Sequence, residues 1–206
     1  MTEIAVAPAP LAIDEEIADR LFRTARTTSQ WTDHDVTDEQ LAAVYDLIKY
    51  GPTAMNTTPL RVLVVRTPEA RERLVAHMAD GNKERVAKAP LSLVLAYDPA
   101  FHKHMDVLFP HAPGIKDQLE PAAELRDGMA RTSALIQVGY FIVGLRAAGL
   151  AAGPMSGMDF AAVDAEFFGE SGWRSLIVVN VGVADGEGSP YPRNPRLDFS
   201  DVADMV

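Results

Sequence analysis

Arg20, Arg23 and Arg26 recur every third residue and run straight into Thr27, Thr28 and Ser29. Guanidinium forks beside hydroxyls form a donor set that grips phosphate, because each fork can give two parallel N–H bonds to an oxyanion. The same arginines also suit a solvated helix face. Three further stretches place chemistry-bearing groups on bends. GPTAMNTTP, Gly51 to Pro59, is a polar corner directly before an apolar run, and it offers Asn56 and three threonines as hydrogen-bonding groups. GNKER, Gly81 to Arg85, reads as a turn leading to two basic residues. GPMSGMD, Gly153 to Asp159, has glycines that let a backbone N–H approach a ligand closely, just ahead of a helix N-terminus. Taken singly, each stretch also reads as an ordinary turn or cap. Together they supply a phosphate clamp, an amide donor, a basic group and a close backbone approach. A bound anionic cofactor needs that set.

Other chemistries fail on spacing. No GxGxxG follows a strand, and there is no Walker loop. Gly153-Pro-Met-Ser-Gly157 places its serine fourth rather than third, so it is not a nucleophile elbow. The five histidines form no HExxH, and His102 and His104 are two apart, which points them to different sides of a helix. All five read as packed or solvated, with His111 in LFPH kept as a pocket candidate. The absence of cysteine removes disulfides, thiolate zinc sites, iron–sulfur clusters and cysteine nucleophiles.

These groups need a scaffold. The spacing of Leu11, Ile17, Leu21 and Phe22 predicts a helix over about 11–25. Thr37 and Gln40 form a capping box for a helix with Leu41, Val44, Tyr45 and Ile48 on one face, stopped by Gly51-Pro52. Arg61 to Arg66 reads as a strand. Thr67-Pro68 opens a helix that ends near Asp80-Gly81. Leu91 to Tyr97 and Leu176 to Val183 are continuous apolar runs, the pattern of strands covered on both faces. Residues 98–120 read as irregular or short helix. Pro121 opens a long helix to Gly149 whose second half is apolar almost all round, hence buried on most sides. Helices exceed strands, and the strands are separated single runs. This predicts an α+β fold in one domain over residues 1–206, with 1–9 a loose tail.

The formal net charge of -10 argues against nucleic acid or an anionic membrane as partner. Leu135 to Leu150 is interrupted by Gln137 and Arg146 and is too short to span a bilayer. The first residues lack the pattern of a secretory leader. A cytoplasmic protein is expected.

ARTTSQW, GPTAMN, GNKERVAKAP and GPMSGMD, in this order, together with LFPH and VNVGVADG, resemble the FMN-dependent nitroreductase family. The likeness is greatest to its malonic semialdehyde reductase branch and extends from about Leu21. The resemblance implies a nitroreductase-like mixed sandwich, a small mainly antiparallel sheet flanked by helices, built as an intertwined homodimer with two FMN sites at the interface. The helix from Pro121 to Gly149 would then pack across the two-fold axis, and Gly51 to Asn56 would serve the flavin of the other subunit. By the same match, Arg26 holds the phosphate with Thr28 and Ser29 as hydroxyl partners, although the family's second basic residue here has no counterpart in ARTTS. Pro52, Thr53 and Asn56 match the polar corner. Asn82 and Arg85 match the contacts to the isoalloxazine edge. Ser156 and Gly157 match the pair whose backbone approaches flavin N5. Arg193 matches the C-terminal phosphate ligand, with Arg196 its rival.

The implied activity is ping-pong. NADH or NADPH reduces the flavin through N5, and a small-molecule acceptor then takes hydride from the same face. Arg85 and the Gly157 N–H carry the catalytic roles. The branch likeness points to malonic semialdehyde reduced to 3-hydroxypropionate, with Phe109 and His111 as candidates lining the acceptor pocket. The family also reduces nitroaromatics and quinones, and a flavin-binding module without catalysis would use the same clamp.

Overall fold

The computed structural model describes residues 9–204 and Val206. Apart from Ala9, the expected tail lies outside the described residues. In chain order the elements are α1 (Glu15–Ala18), a π-helical turn (Asp19–Arg23), α2 (Asp38–Ile48), β1 (Leu60–Val65), α3 (Pro68–Ala76), α4 (Asp80–Lys88) and β2 (Leu91–Tyr97). There follow α5 (Met105–Leu108), α6 (Ile115–Leu119), α7 (Ala123–Ala147), β3 (Ala151–Met155), α8 (Phe160–Phe168), β4 (Arg174–Gly182) and α9 (Phe199–Val202). The sheet has the order β1-β2-β4-β3, with every neighbouring pair antiparallel. This is the predicted α+β class.

Alternation along β2 divides the interior. Leu91, Leu93 and Leu95 face a core with Phe141 and Leu145 of α7, while Val94 and Ala96 face a second core with Leu74, Val86 and Val163 from α3, α4 and α8. Every residue of β2 is buried, as its unbroken apolar run predicts. Helices therefore cover both faces of the sheet. Among the described residues no helix is long and apolar enough to cross a membrane.

The local signals that held are caps. The Thr37–Gln40 box closes in both directions, and Thr67 and Asp159 each accept from the backbone N–H three residues on. Four expectations are corrected. The helix over 11–25 is one α-turn followed by a π-turn, with Thr24 N–H donating to the Asp19 carbonyl at 3.0 Å. That wider turn breaks the three-residue repeat, so the arginines do not form one row. The helix after Thr67 stops at Ala76, and GNKER lies inside the next helix, α4, rather than in a turn. The stretch from Gly153 to Met155 is not a loop but part of β3 at the sheet edge, where Pro154 is tolerated. The second half of α7 is not buried on most sides: Leu135, Ile136 and Tyr140 stand 45%, 43% and 45% exposed in the single chain.

His102 is fully buried, its Nε2 2.6 Å from Glu120 Oε2 and its Nδ1 2.9 Å from Arg126 Nη1. The same Arg126 nitrogen also lies 2.8 Å from Nε2, so the guanidinium contacts both ring nitrogens. The hydrogen bond to His102 holds the Glu120 carboxyl below the usual range. This histidine is packed, as expected, and it pins residues 101–104 to the start of α7.

Gly153 is where the fold is tightest. A Cβ built there would collide with the Thr28 backbone carbonyl, and Thr28 N–H donates to the Ala152 carbonyl at 3.0 Å. Gly153→Ala is expected to force this crossing apart, costing about 1–3 kcal/mol as overpacking of a closed interior does. Urea unfolding checks it, and Ala152→Gly, which leaves the crossing open, should cost less.

Candidate functional site

The crossing at Gly153 brings three distant stretches together. Thr27 bridges Ala152 in parallel, and Ser29 and Gln30 both donate to the Gly188 carbonyl, at 2.8 and 3.2 Å. Residues 26–30 are thereby held between the edge strand β3 and the turn after β4. Thr28 is 3% exposed, with its hydroxyl 3.5 Å from the Arg26 carbonyl. Gly188, at φ +70°, leaves room for the Thr28 side chain.

This packing aims arginines from three parts of the chain at one place. Arg26 donates to the Tyr191 carbonyl and lies 3.6 Å from Glu187; its side chain is 17% exposed against 82% for the glutamate. Arg193 donates to the Ala25 carbonyl at 2.9 Å, and Arg146 of α7 to the Leu21 carbonyl at 3.0 Å. Burial, then the neighbouring Arg193, push the Arg146 guanidinium below its ordinary value. Arg20 and Arg23 are different: Glu16 neutralises the first, Glu15 and Asp19 the second.

Arg26, Arg146 and Arg193 form a wall shared by two cavities. One, of about 580 Å³, runs along Leu150, Ala151 and Ala152 at the start of β3. The other, of about 710 Å³, lies on the C-terminal side with Tyr191 and Arg196. Arg193 lines both, and Arg196 lines only the second. Each wall guanidinium spends one arm on a carbonyl, and among the described residues Arg146 and Arg193 have no carboxylate partner. Arg146 was missed in the sequence because it interrupts an apolar helical run, where a lone arginine reads as a blemish in a buried face.

The other end of β3 carries the second group of predicted residues. Gly157 accepts from Ala79 N–H at 2.9 Å and from Asn82 Nδ2 at 3.0 Å. A Cβ on Gly157 would lie 2.6 Å from that Asn82 nitrogen. The closeness of Gly157 thus serves Asn82, and that of Gly153 serves Thr28. The Gly157 N–H has no partner among the described residues, and Ser156 beside it is exposed. Arg85 sits one turn beyond Asn82 on α4; its side chain is exposed and makes no hydrogen bond or ion pair among the described residues. Asn180, buried in β4, fixes that turn by donating to the Arg85 carbonyl at 3.0 Å while accepting from Ser92 at 2.7 Å.

Pro52, Thr53 and Asn56 are not brought to this group within one chain. Their corner precedes β1, and β1 and β3 are opposite edges of the sheet. Met55, Asn56 and Thr58 all have positive φ, at 53°, 53° and 37°. The corner's polar groups hold it in that strained shape: Thr53 Oγ1 accepts from Thr58 N–H at 3.2 Å, and Ala54 N–H donates to Ser133 Oγ at 3.3 Å. Asn56 Nδ2 donates to the Leu108 carbonyl at 2.8 Å, tying the corner to the segment where Phe109 and His111 pack with ring centroids 3.9 Å apart. Among the described residues no histidine or acidic cluster could hold a metal.

Comparisons with known proteins bear on the family and the fold. The sequence profile of the nitroreductase family matches residues 22–183. A Streptomyces coelicolor protein, provisionally named NADH dehydrogenase/NAD(P)H nitroreductase, is 51% identical over 95% of this chain and 99% of its own length. The crystal structure of an Exiguobacterium sibiricum protein in complex with FMN, provisionally named a nitroreductase, superposes with a TM-score of 0.74 at 19% identity, covering 97% of this chain and 100% of the other. A Staphylococcus epidermidis structure, provisionally named an NAD(P)H:FMN oxidoreductase, does so with 0.78 at 14%, covering 95% and 98%. From the profile match and the identity to its relatives, the chain belongs to the nitroreductase family.

Proposed function

We propose that the chain is a cytoplasmic, FMN-dependent NAD(P)H oxidoreductase whose flavin lies along β3, phosphate at the arginine wall and ring at Gly157. The observation that carries this reading is the wall itself. Three guanidiniums converge in a protein of net charge -10, and among the described residues the one carboxylate paired with any of the three is Glu187, 3.6 Å from Arg26 and almost wholly solvated. Like charges gathered at a half-buried site fit an anion that neutralises them. Bound FMN supplies hydride transfer.

The chain's own residues orient and stabilise. Arg26 and Arg193 hold the phosphate, with Ser29 and the backbone around Thr28 lining its approach. Thr28 packs rather than points outward, so it acts by placing Arg26 and Ser29. Asn82 fixes the Gly157 peptide through its carbonyl, and the Gly157 N–H, unpartnered among the described residues, would be the donor offered to the ring. Arg85, without a partner of its own, stands available for the negative charge that develops on the ring edge during reduction.

The active unit of this reading is a homodimer. Leu125, Leu135, Ile136 and Tyr140 leave an exposed apolar stripe on α7, and the Pro52–Asn56 corner serves the site of the other copy. The acceptor is a small aldehyde, malonic semialdehyde by branch likeness, reaching the ring past Phe109 and His111. The names of the relatives favour a second reading for the acceptor alone: a nitroaromatic or quinone.

Three outcomes are expected. The purified protein titrated with FMN should show a flavin spectrum that bleaches under anaerobic NADH or NADPH, and FMN at a hundred times Kd should add about 2.7 kcal/mol of stability. A colourless protein that FMN does not stabilise would end the flavin reading, and a flavin that does not bleach would leave a binding module. Arg26→Ala should weaken FMN binding by about 2–5 kcal/mol, the cost of removing one partner of a desolvated charged pair, and Arg193→Ala, at an exposed residue, should weaken it by less. Arg85→Ala should slow flavin reduction in stopped flow more than it weakens FMN binding; equal losses would remove Arg85 from the reduction step.

A further inference from the structure

The cavity on the C-terminal side of the wall is larger than one phosphate needs. It is lined by Arg26, Arg146 and Arg193 of the wall and by Phe22, Arg23, Tyr191 and Arg196; its lining includes no carboxylate, and of these arginines Arg23 is paired to Glu15 and Asp19 and Arg26 lies 3.6 Å from Glu187. Arg196 Nη1 donates to the neighbouring Asn194 and Pro195 carbonyls, at 3.0 Å each, and its fork has no other partner among the described residues. Phe22 and Tyr191 are 55% and 67% exposed, two aromatic rings left open beside a cationic surface. The lining also includes Ser189 and Asn194, which can donate and accept hydrogen bonds.

That combination has a specific chemistry. Arg146, Arg193 and Arg196 have no carboxylate partner among the described residues and suit phosphate, and open aromatic rings beside planar guanidiniums call for a flat heteroaromatic base, which stacks on both. An asparagine can read the adjacent ring nitrogen and amino group of adenine with its two-headed amide. A volume near 710 Å³ lies within the range of small-molecule sites and far exceeds an inorganic phosphate.

We propose that this second cavity binds a phosphorylated adenosine, the adenylate end of a dinucleotide, with Arg196 on its phosphate and Phe22 and Tyr191 on its base. The proposal rests on the flavin reading in one respect: the cavity along β3 is taken by the FMN phosphate. Two dinucleotides carry this chemistry past the wall. NADPH has a 2′-phosphate on its adenosine, and FAD continues from the flavin phosphate into an adenylate.

The test titrates the FMN-loaded protein calorimetrically with 2′,5′-ADP, 5′-AMP, adenosine and inorganic phosphate. At least one adenylate should bind tenfold or more tightly than both adenosine and phosphate. Arg196→Gln and Tyr191→Ala should each weaken that adenylate about tenfold, with flavin occupancy followed by the visible spectrum. Adenylates binding no better than phosphate, or binding unchanged in both variants, would overturn the proposal; a partner chain covering the two rings would give the first of these results. The source is then read from Arg196→Gln. A selective fall in kcat/KM for NADPH over NADH assigns the cavity to the reductant, a selective loss of affinity for FAD over FMN assigns it to a flavin dinucleotide, and neither effect overturns it. FMN binding to the unaltered chain, read from its own spectrum, decides the flavin reading separately.

Discussion

The backbone crossing of Thr28 over Gly153 is the contact on which the site depends. Without a side chain at 153, the segment carrying Arg26 lies directly against the edge strand and closes one main-chain hydrogen bond to Ala152. The turn at Gly188 then closes on the other side of the same segment. Arg26, Arg146 and Arg193 are far apart in sequence, and each is placed by a main-chain carbonyl of a neighbouring stretch rather than by a carboxylate. Carbonyl anchoring orients a guanidinium and leaves its charge intact. An aspartate in the same place would orient it equally well and cancel the attraction for an anion.

The contrast with Arg20 and Arg23 makes the same point within a few residues. Both sit on the surface beside acidic groups of their own short helix, and both are neutralised. Exposed pairs of this kind contribute little to stability, and they leave little net charge to offer a ligand. In an acidic protein, a positive site is made by keeping carboxylates away as much as by gathering arginines.

What the sequence showed follows from the range of the interactions. The caps at Thr37, Thr67 and Asp159 and the buried strands β2 and β4 are set by neighbours within a few residues, and they appear as expected. β3 did not show, because Gly153 and Pro154 are turn residues by local preference; only its place at the sheet edge, paired with β4, makes them a strand. GNKER was read as a turn for the same reason, since Gly81 is a poor helix residue and the packing of Val86 overrides it. The π-turn gives no warning in composition. Arg146 needed the fold, because its partners Leu21 and Arg193 arrive from opposite ends of the chain.

Helix α7 links all of these parts. Ser133 Oγ accepts from Ala54 N–H at the strained corner, Gln137 accepts from Leu60 N–H at 3.0 Å, and Tyr140 packs under Gly51. Arg146, thirteen residues beyond Ser133, stands in the wall, a rise of about 20 Å along the helix axis. The corner and the wall are therefore held rigidly apart in one chain, at opposite sheet edges as well as at opposite ends of this helix. Between them the same helix leaves its apolar stripe of Leu135, Ile136 and Tyr140 uncovered. A second copy seated on that stripe by two-fold symmetry would bring an identical corner from outside, and each copy would complete the other's site by the same contact. Within one chain the positive-φ backbone of Met55, Asn56 and Thr58 is held by the corner's own contacts, Thr58 N–H donating to Thr53 Oγ1 and Asn56 Nδ2 donating to the Leu108 carbonyl, so the corner is already shaped before any second copy meets it.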